Sequence, residues 1–155
     1  MEVKIMSIQI RRFCENDAEA VAYIINQDLL HSDKKAYSRK ENVLFTNLCA
    51  KEQVLSIEKF THMYVAYLEK KPVGCGIITD CSKKQNMVFL VPFVLPEHQG
   101  QGLGKQIIEA LEQDSYYSGA GQIEIPLSID AKEFYQKIGY DRWQNEVRKK
   151  QQITA

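Results

Sequence analysis

The stretch that most constrains this chain runs from Val94 to Leu111 and reads Val-Leu-Pro-Glu-His-Gln-Gly-Gln-Gly-Leu-Gly-Lys-Gln-Ile-Ile-Glu-Ala-Leu. An apolar, strand-like run ends at Pro96. A loop follows with glycines at Gly100, Gly102 and Gly104, and then Leu103, Ile107, Ile108 and Leu111 recur at helical spacing. A strand therefore feeds a glycine-rich turn, and the turn opens a helix. The start of a helix has N–H groups without helical partners and the positive end of the helix dipole, so it attracts an anion. Glycine lets the backbone approach that anion, because no Cβ stands in the way. The stretch reads as a phosphate-binding turn, suited to a pyrophosphate.

The common nucleotide motifs fail on residues. A Walker loop needs Gly, four residues, then Gly-Lys-Ser/Thr. Here His98 stands where the first glycine should be, and Gln106 replaces the hydroxyl that would ligate magnesium. A dinucleotide fingerprint needs Gly-x-Gly-x-x-Gly early in a βαβ unit. The spacing here is Gly-x-Gly-x-Gly, late in the chain.

The stretch instead resembles the Gln/Arg-x-x-Gly-x-Gly/Ala motif of the GNAT superfamily, the acetyl-CoA-dependent N-acetyltransferases. Gln99, Gly102 and Gly104 fill its fixed positions, and Val94 to Glu97 resembles the end of that family's fourth strand. A second match follows in the family's order. Ala131-Lys-Glu-Phe-Tyr-Gln-Lys-Ile-Gly-Tyr140 is similar to its last helix and the strand after it, with the pattern Ala-x-x-Phe-Tyr-x-x-x-Gly-Phe/Tyr. The tyrosine of that pattern, which sits beside the coenzyme A sulfur, is Tyr135 here.

The resemblance implies an α/β (α+β) fold. Its mixed, mostly antiparallel central sheet would have about six to seven strands and about four flanking helices, splayed between strands 4 and 5. It implies acetyl-CoA as cosubstrate, with Gln99, Gly100, Gln101, Gly102, Leu103, Gly104 and Lys105 around the pyrophosphate. Phe93, Val94 and Leu95 would meet the pantetheine arm. Ser128, where many relatives have asparagine and some have serine, would also bind the coenzyme. The acceptor would be a primary amine of a small molecule or peptide.

Composition bounds the rest. A chain of 155 residues is the length of one domain with a real core. Its formal net charge of zero argues against a nucleic-acid binder that relies on broad phosphate neutralisation. The longest apolar run, Met87 to Leu95, is far short of the ~20 residues that span a bilayer. No signal peptide is evident, and Cys14, Cys49, Cys75 and Cys81 form no C-x-x-C pair. These features read as a cytoplasmic protein with reduced thiols, a monomer or homodimer. His31, His62 and His98 have no metal-ligand spacing.

In chain order, Ser7 to Phe13 alternates as a first strand, and Asn16 or Asp17 can cap the helix carrying Val21, Ile24, Ile25 and Leu29. Ser38 and Glu41 fit a capping box, and a short helix is expected over Val54 to Phe60; the resemblance implies that the helices after the first strand wall the acceptor pocket, where Tyr37 either lines it or lies in a surface loop. Thr61 to Leu68 and Val73 to Thr79 form a hairpin signal across a loop of about four residues, Glu69 to Pro72. Gly74 and Gly76 weaken the second of these strands and point to close packing or a bulge. Met87 to Leu95 is a buried strand interrupted by Pro92, which predicts a bulge or break there. Gln122 to Leu127, the helix Ala131 to Ile138 ended by Gly139, and a last strand from Tyr140 to Val147 complete the elements.

Acetyl transfer from a thioester to an amine needs a neutral amine, two substrates held in line, a donor for the oxyanion and a proton for the leaving thiolate. By the resemblance, a backbone N–H near Val94 serves the oxyanion and Tyr135 is the general acid. The general base is open. Many relatives carry a glutamate on the fourth strand, whereas Asn86 to Leu95 contains no acid and no histidine. Glu124, Asp80 or a water chain could take that role. A non-catalytic acyl-CoA-binding module, used as a sensor or interaction domain, is the alternative from another class.

Overall fold

The computed structural model of the chain describes residues 7–31, 46–80, 87–118, 120–124, 140–143 and 146–149. The elements in order are β1 (Ile8–Arg12), α1 (Ala18–His31), α2 (Lys51–Glu58), β2 (His62–Leu68), β3 (Lys71–Asp80), β4 (Met87–Val94) and α3 (Leu103–Glu112). A short helix over Ser115–Ser118 follows, then β5 (Gln122–Glu124), β6 (Tyr140–Trp143) and β7 (Glu146–Lys149). Among the described residues the first five strands form one sheet in chain order, and β6 and β7 pair with each other, with β7 lying near β5. Pairing is antiparallel from β1 to β4, whereas β5 runs parallel to β4. This is the mixed, mostly antiparallel sheet that the resemblance implies, with five strands among the described residues rather than six to seven.

Two helices cover the sheet on opposite faces. α3 carries its apolar stripe of Leu103, Ile107, Ile108 and Leu111 fully into the core. Burying a side chain of this size contributes about 1.5–3 kcal/mol. The stripe can reach the sheet because β3 presents glycine to it. A Cβ on Gly76 would stand 2.6 Å from Ile107 Cγ2, and one on Gly74 would stand 2.8 Å from Ile107 Cδ1. The two glycines permit a close helix approach; the β3–β4 register passes both without a shift, whereas the β2–β3 register shifts beside Gly74, between Ala66 and Tyr67, so both the close packing and the bulge expected there are present. On the other face α1 packs Val21, Ile24 and Ile25 over β3 and β4.

Consecutive arginines of β1 fasten one face each, because neighbouring side chains on a strand point to opposite sides. Arg11 forks onto Asp17 at 3.0 and 3.2 Å, just ahead of α1, and lies over the Tyr67 ring at 4.6 Å. Tyr67 OH also donates to the Asp17 carboxylate. Arg12 lies over Tyr64 at 5.4 Å and reaches Asp114 beyond α3 at 3.4 Å. Both carboxylates are nearly inaccessible, at 5% and 4% exposure. Burial pushes each upward, but the hydrogen bonds outweigh it and hold both carboxyls below the usual aspartate range. For Asp17 the donors are Tyr67, Cys14 N–H and Arg11; for Asp114 they are Tyr64, Tyr116 N–H and His62.

Four expectations change. Asp17 does not cap α1 from in front. It sits in a 3-10 turn and reaches back to accept Cys14 N–H at 2.8 Å. The β2–β3 connection is two residues rather than four, with Glu69 and Lys70 both left-handed at φ 48° and 73°. That is the backbone of a primed hairpin turn, made without the usual Asn-Gly. The final strand is a hairpin, because Trp143 pairs with Glu146 across two residues. Finally, β4 has no bulge at Pro92, which pairs in register with Gly76. In an antiparallel strand the N–H and C=O of one residue face one neighbour and those of the next face the other. Leu95 N–H bonds Val73 O at 3.0 Å, so Pro92, three residues earlier, faces away from β3. Its missing N–H removes nothing from that ladder.

The described β4–β5 ladder covers Met87↔Gln122 to Phe89↔Glu124. The remainder of the expected fifth strand, the helix Ala131 to Ile138 and the capping box at Ser38 and Glu41 lie outside the described residues. No helix among the described residues is long and apolar enough to cross a membrane.

Two stability measurements test this packing. Gly76→Ala should lower stability by about 1–3 kcal/mol through overpacking against Ile107; a urea midpoint equal to wild type would refute the close approach. Asp17 and Asp114 have folded pKa values below their unfolded ones. Their contribution is therefore present above pH ~3.9 and lost as pH falls through the lower folded values. Asp17→Asn and Asp114→Asn should each flatten the fall in urea midpoint below about pH 4. An unchanged slope in both would show that neither carboxylate is held low.

Candidate functional site

The end of β4 and the turn after it form the candidate site. The backbone alternation that accommodates Pro92 also turns Val94 toward the edge away from β3. β5 is described alongside β4 only as far as Phe89. Five residues further on, roughly 16 Å along the strand, side chains take the backbone groups of Val94 instead. Its N–H donates to Asp28 Oδ2 at 2.9 Å, and its C=O accepts from Gln99 Nε2 at 3.1 Å. Phe93 and Leu95 have their side chains in the core, at 2% exposure each. Of these three residues, Val94 alone directs its N–H to the edge away from β3.

Gln99 thus ties the turn back onto the strand that enters it. Gly100 and Gly102 are left-handed, at φ 79° and 83°, a conformation that L side chains rarely adopt. Nothing lies within 4 Å of where a Cβ would stand on either. Gly102 is the N-cap of α3, and the first helical bond runs from Gln106 N–H to Gly102 O at 3.2 Å. The N–H groups of Leu103, Gly104 and Lys105 precede that bond and have no partner within the helix. The first turn of α3 carries no acidic side chain to compete for them. Lys105 is exposed and lies 4.0 Å from Glu109, one turn on. The arrangement is a run of backbone N–H donors at a helix N-terminus, the kind of group that attracts an anion.

The far end of α3 is fixed. Asp114 accepts from Tyr64 OH at 2.6 Å, from His62 Nδ1 at 2.8 Å and from Tyr116 N–H at 2.9 Å. The Tyr116 ring stacks on His62 with centroids 3.9 Å apart. These bonds anchor the C-terminal end of the helix to β2 and leave its N-terminal end to face the turn.

On the α1 face, Cys75 is fully buried opposite Phe93. Burial first, and the nearby Asp28 charge second, push its thiol far above the ordinary range. It is an inert core group.

The structure brings Val94, Gln99, Gly100, Gln101, Gly102, Leu103, Gly104 and Lys105 together at one end of the sheet. Leu103 is there as a core anchor, at 4% exposure. Tyr135, Ser128 and Tyr37 lie outside the described residues. Asp80 is exposed and pairs with Val88, at the opposite end of β4 from Val94. Glu124 pairs with Phe89, also well short of it. The residue missed from the sequence is Asp28. A signal for it exists: it lies seven residues after Val21 and four after Ile24, an acid on the apolar stripe of α1.

Comparison with known proteins gives the family and the fold. Residues 33–154 match the family model of the acetyltransferase (GNAT) domain. The chain is 31% identical over 111 residues to the uncharacterized N-acetyltransferase YjcF of Bacillus subtilis (strain 168), covering 69% of this chain and 76% of YjcF. Among solved structures, the PaiA N-acetyltransferase of Thermoplasma acidophilum in complex with coenzyme A superposes with a TM-score of 0.73 at 17% identity, over 94% of this chain and 100% of that one. YncA, a putative acetyltransferase of Salmonella typhimurium with its cofactor acetyl-CoA, gives 0.68 at 17% identity, over 86% and 79%. The family model spans most of the chain and the YjcF match spans two thirds of it: the protein belongs to the GNAT acetyltransferase family.

Proposed function

We propose that the protein moves an acetyl group from acetyl-CoA to a primary amine of a small molecule or peptide, with both substrates bound together. The observation that carries this reading is the turn after β4. It offers the N–H groups of Leu103, Gly104 and Lys105, two left-handed glycines and no competing acid. A pyrophosphate held there sets one end of the coenzyme, and the edge of β4 away from β3 at Val94 receives the other. The relatives described in complex with coenzyme A or acetyl-CoA support the choice of ligand.

Acetyl-CoA supplies the activated thioester. The chain's own residues do the rest. The turn neutralises charge through backbone dipoles rather than through a lysine, so its sequence matters more than its net charge. Val94 N–H is the donor that the thioester end of the coenzyme would meet. Tyr135, by its place in the Ala-x-x-Phe-Tyr pattern, supplies the proton to the departing thiolate. A phenol near pKa ~10 and a thiol near ~8.5 are matched closely enough for that transfer.

Thiol release from acetyl-CoA, followed with a panel of primary amines, tests the reading. Amine-dependent release supports it. Coenzyme binding without release would make the chain an acyl-CoA-binding module instead.

Two variants test the parts. Gly102→Val should weaken coenzyme A binding on the order of tenfold or more, because a β-branched residue cannot hold a left-handed φ cheaply. Lys105→Ala should have a much smaller effect. Calorimetry showing the reverse order would remove the turn from the coenzyme site. Tyr135→Phe keeps the ring and loses only the hydroxyl. It should lower kcat and kcat/KM together, by up to about 10²-fold, with KM and coenzyme affinity near wild type. A Phe variant with full kcat would return Tyr135 to a packing role.

A further inference from the structure

The glycine turn after β4 is not held by its own glycines. Gly100 and Gly102 are left-handed, and nothing packs within 4 Å of where a Cβ would stand on either. Glycine populates left- and right-handed conformations about equally, so such a turn samples many shapes unless it is tied. Ordering it only when an anion arrives would cost conformational entropy at that moment and weaken binding.

A side chain supplies the tie. Gln99 directly precedes Gly100. Its N–H bonds Pro96 O at 3.2 Å, and its side-chain Nε2 reaches back five residues to Val94 O at 3.1 Å. His98 N–H bonds Leu95 O at 2.9 Å inside the same span. Residues 94–99 are thus closed into a ring around the 3-10 turn Pro96–His98. Leu95 N–H fastens that ring to Val73 of β3. At the other end, Gly102 O accepts the first helical bond of α3. The turn therefore starts from a point fixed to the sheet and runs into a fixed helix, with Gly100 and Gln101 between them.

We propose that Gln99 is a positioning residue for the coenzyme: its side chain holds the backbone donors of the turn in place before the coenzyme arrives, and it acts through the main chain rather than on the ligand. This rests on the acetyl-CoA reading of the turn given above and adds how the turn keeps its binding shape. The partner is a carbonyl, which only accepts, so the carboxamide must present its NH2. Position 99 therefore requires a long side chain ending in an N–H donor. A carboxamide is neutral, so its contribution is geometric rather than an attraction for phosphate.

The test uses the intact protein, with Gln99→Met and Gln99→Arg beside wild type. Methionine is close to glutamine in length and cannot donate; arginine is long and donates. Gln99 is exposed, so neither substitution disturbs the core. ¹⁵N relaxation of the ligand-free protein reads the turn directly. The order parameters of Gly100 and Gly102 should fall from about 0.85 toward about 0.6 in Gln99→Met and return in Gln99→Arg. Coenzyme A affinity, measured by calorimetry, should fall roughly three- to tenfold in Gln99→Met and recover to within about twofold of wild type in Gln99→Arg. A methionine variant with wild-type affinity overturns the proposal. Weakened affinity with unchanged glycine order parameters also overturns it, because Gln99 would then touch the coenzyme itself. An arginine variant as weak as the methionine one does the same. In each of these cases coenzyme binding by the wild type stands; a wild-type protein that binds no coenzyme A instead overturns the acetyl-transfer reading, and this proposal with it.

Discussion

α3 can lie on β3 only because Gly74 and Gly76 have no side chains. With a Cβ standing 2.6 Å from Ile107 at one and 2.8 Å at the other, the helix would have to lift or slide. Its height above the sheet fixes where its first turn stands relative to the end of β4. That relation makes the site: the strand delivers Val94, the turn reverses through Gly100 and Gly102, and the helix presents its unpaired N–H groups back toward the strand. A packing requirement in the middle of the sheet thus sets the geometry of a binding surface at its end.

The polar networks hold this frame from both faces. Arg11 and Arg12 leave β1 in opposite directions and each meets a buried aspartate and a tyrosine. A buried carboxylate is tolerated only when its oxygens are satisfied, and here Asp17 and Asp114 each accept from several donors. Asp114 also pins the end of α3 that lies away from the turn. The helix is then constrained at its far end and along its length, so the amides at its near end are held without reorganisation, which favours anion binding.

Much of this was legible in the sequence, and the limits have physical causes. The strand–turn–helix stretch was legible because glycine spacing and a period of 3.6 residues both mark it. The β2–β3 hairpin was legible in outline. Its two-residue turn was not, because Glu69 and Lys70 adopt left-handed conformations that their residue types do not advertise. Pro92 was misread because a proline removes a ladder bond on only one side of its strand. Which side depends on register, and register is set by tertiary pairing rather than by the local sequence. Asp28 was missed for a related reason. Its partner is a backbone N–H sixty-six residues away, and only the packing of α1 over β4 brings them together.

The central claim is that the backbone at the β4–α3 junction, rather than any charged side chain, receives the coenzyme. The most direct measurement is an amide-resolved NMR titration of the ¹⁵N-labelled protein with coenzyme A. The largest shifts should fall on the N–H groups of Gly100 to Lys105 and on Val94, with the His62–Asp114 end of α3 nearly still. Saturable shifts that leave the turn unmoved and cluster elsewhere would contradict it.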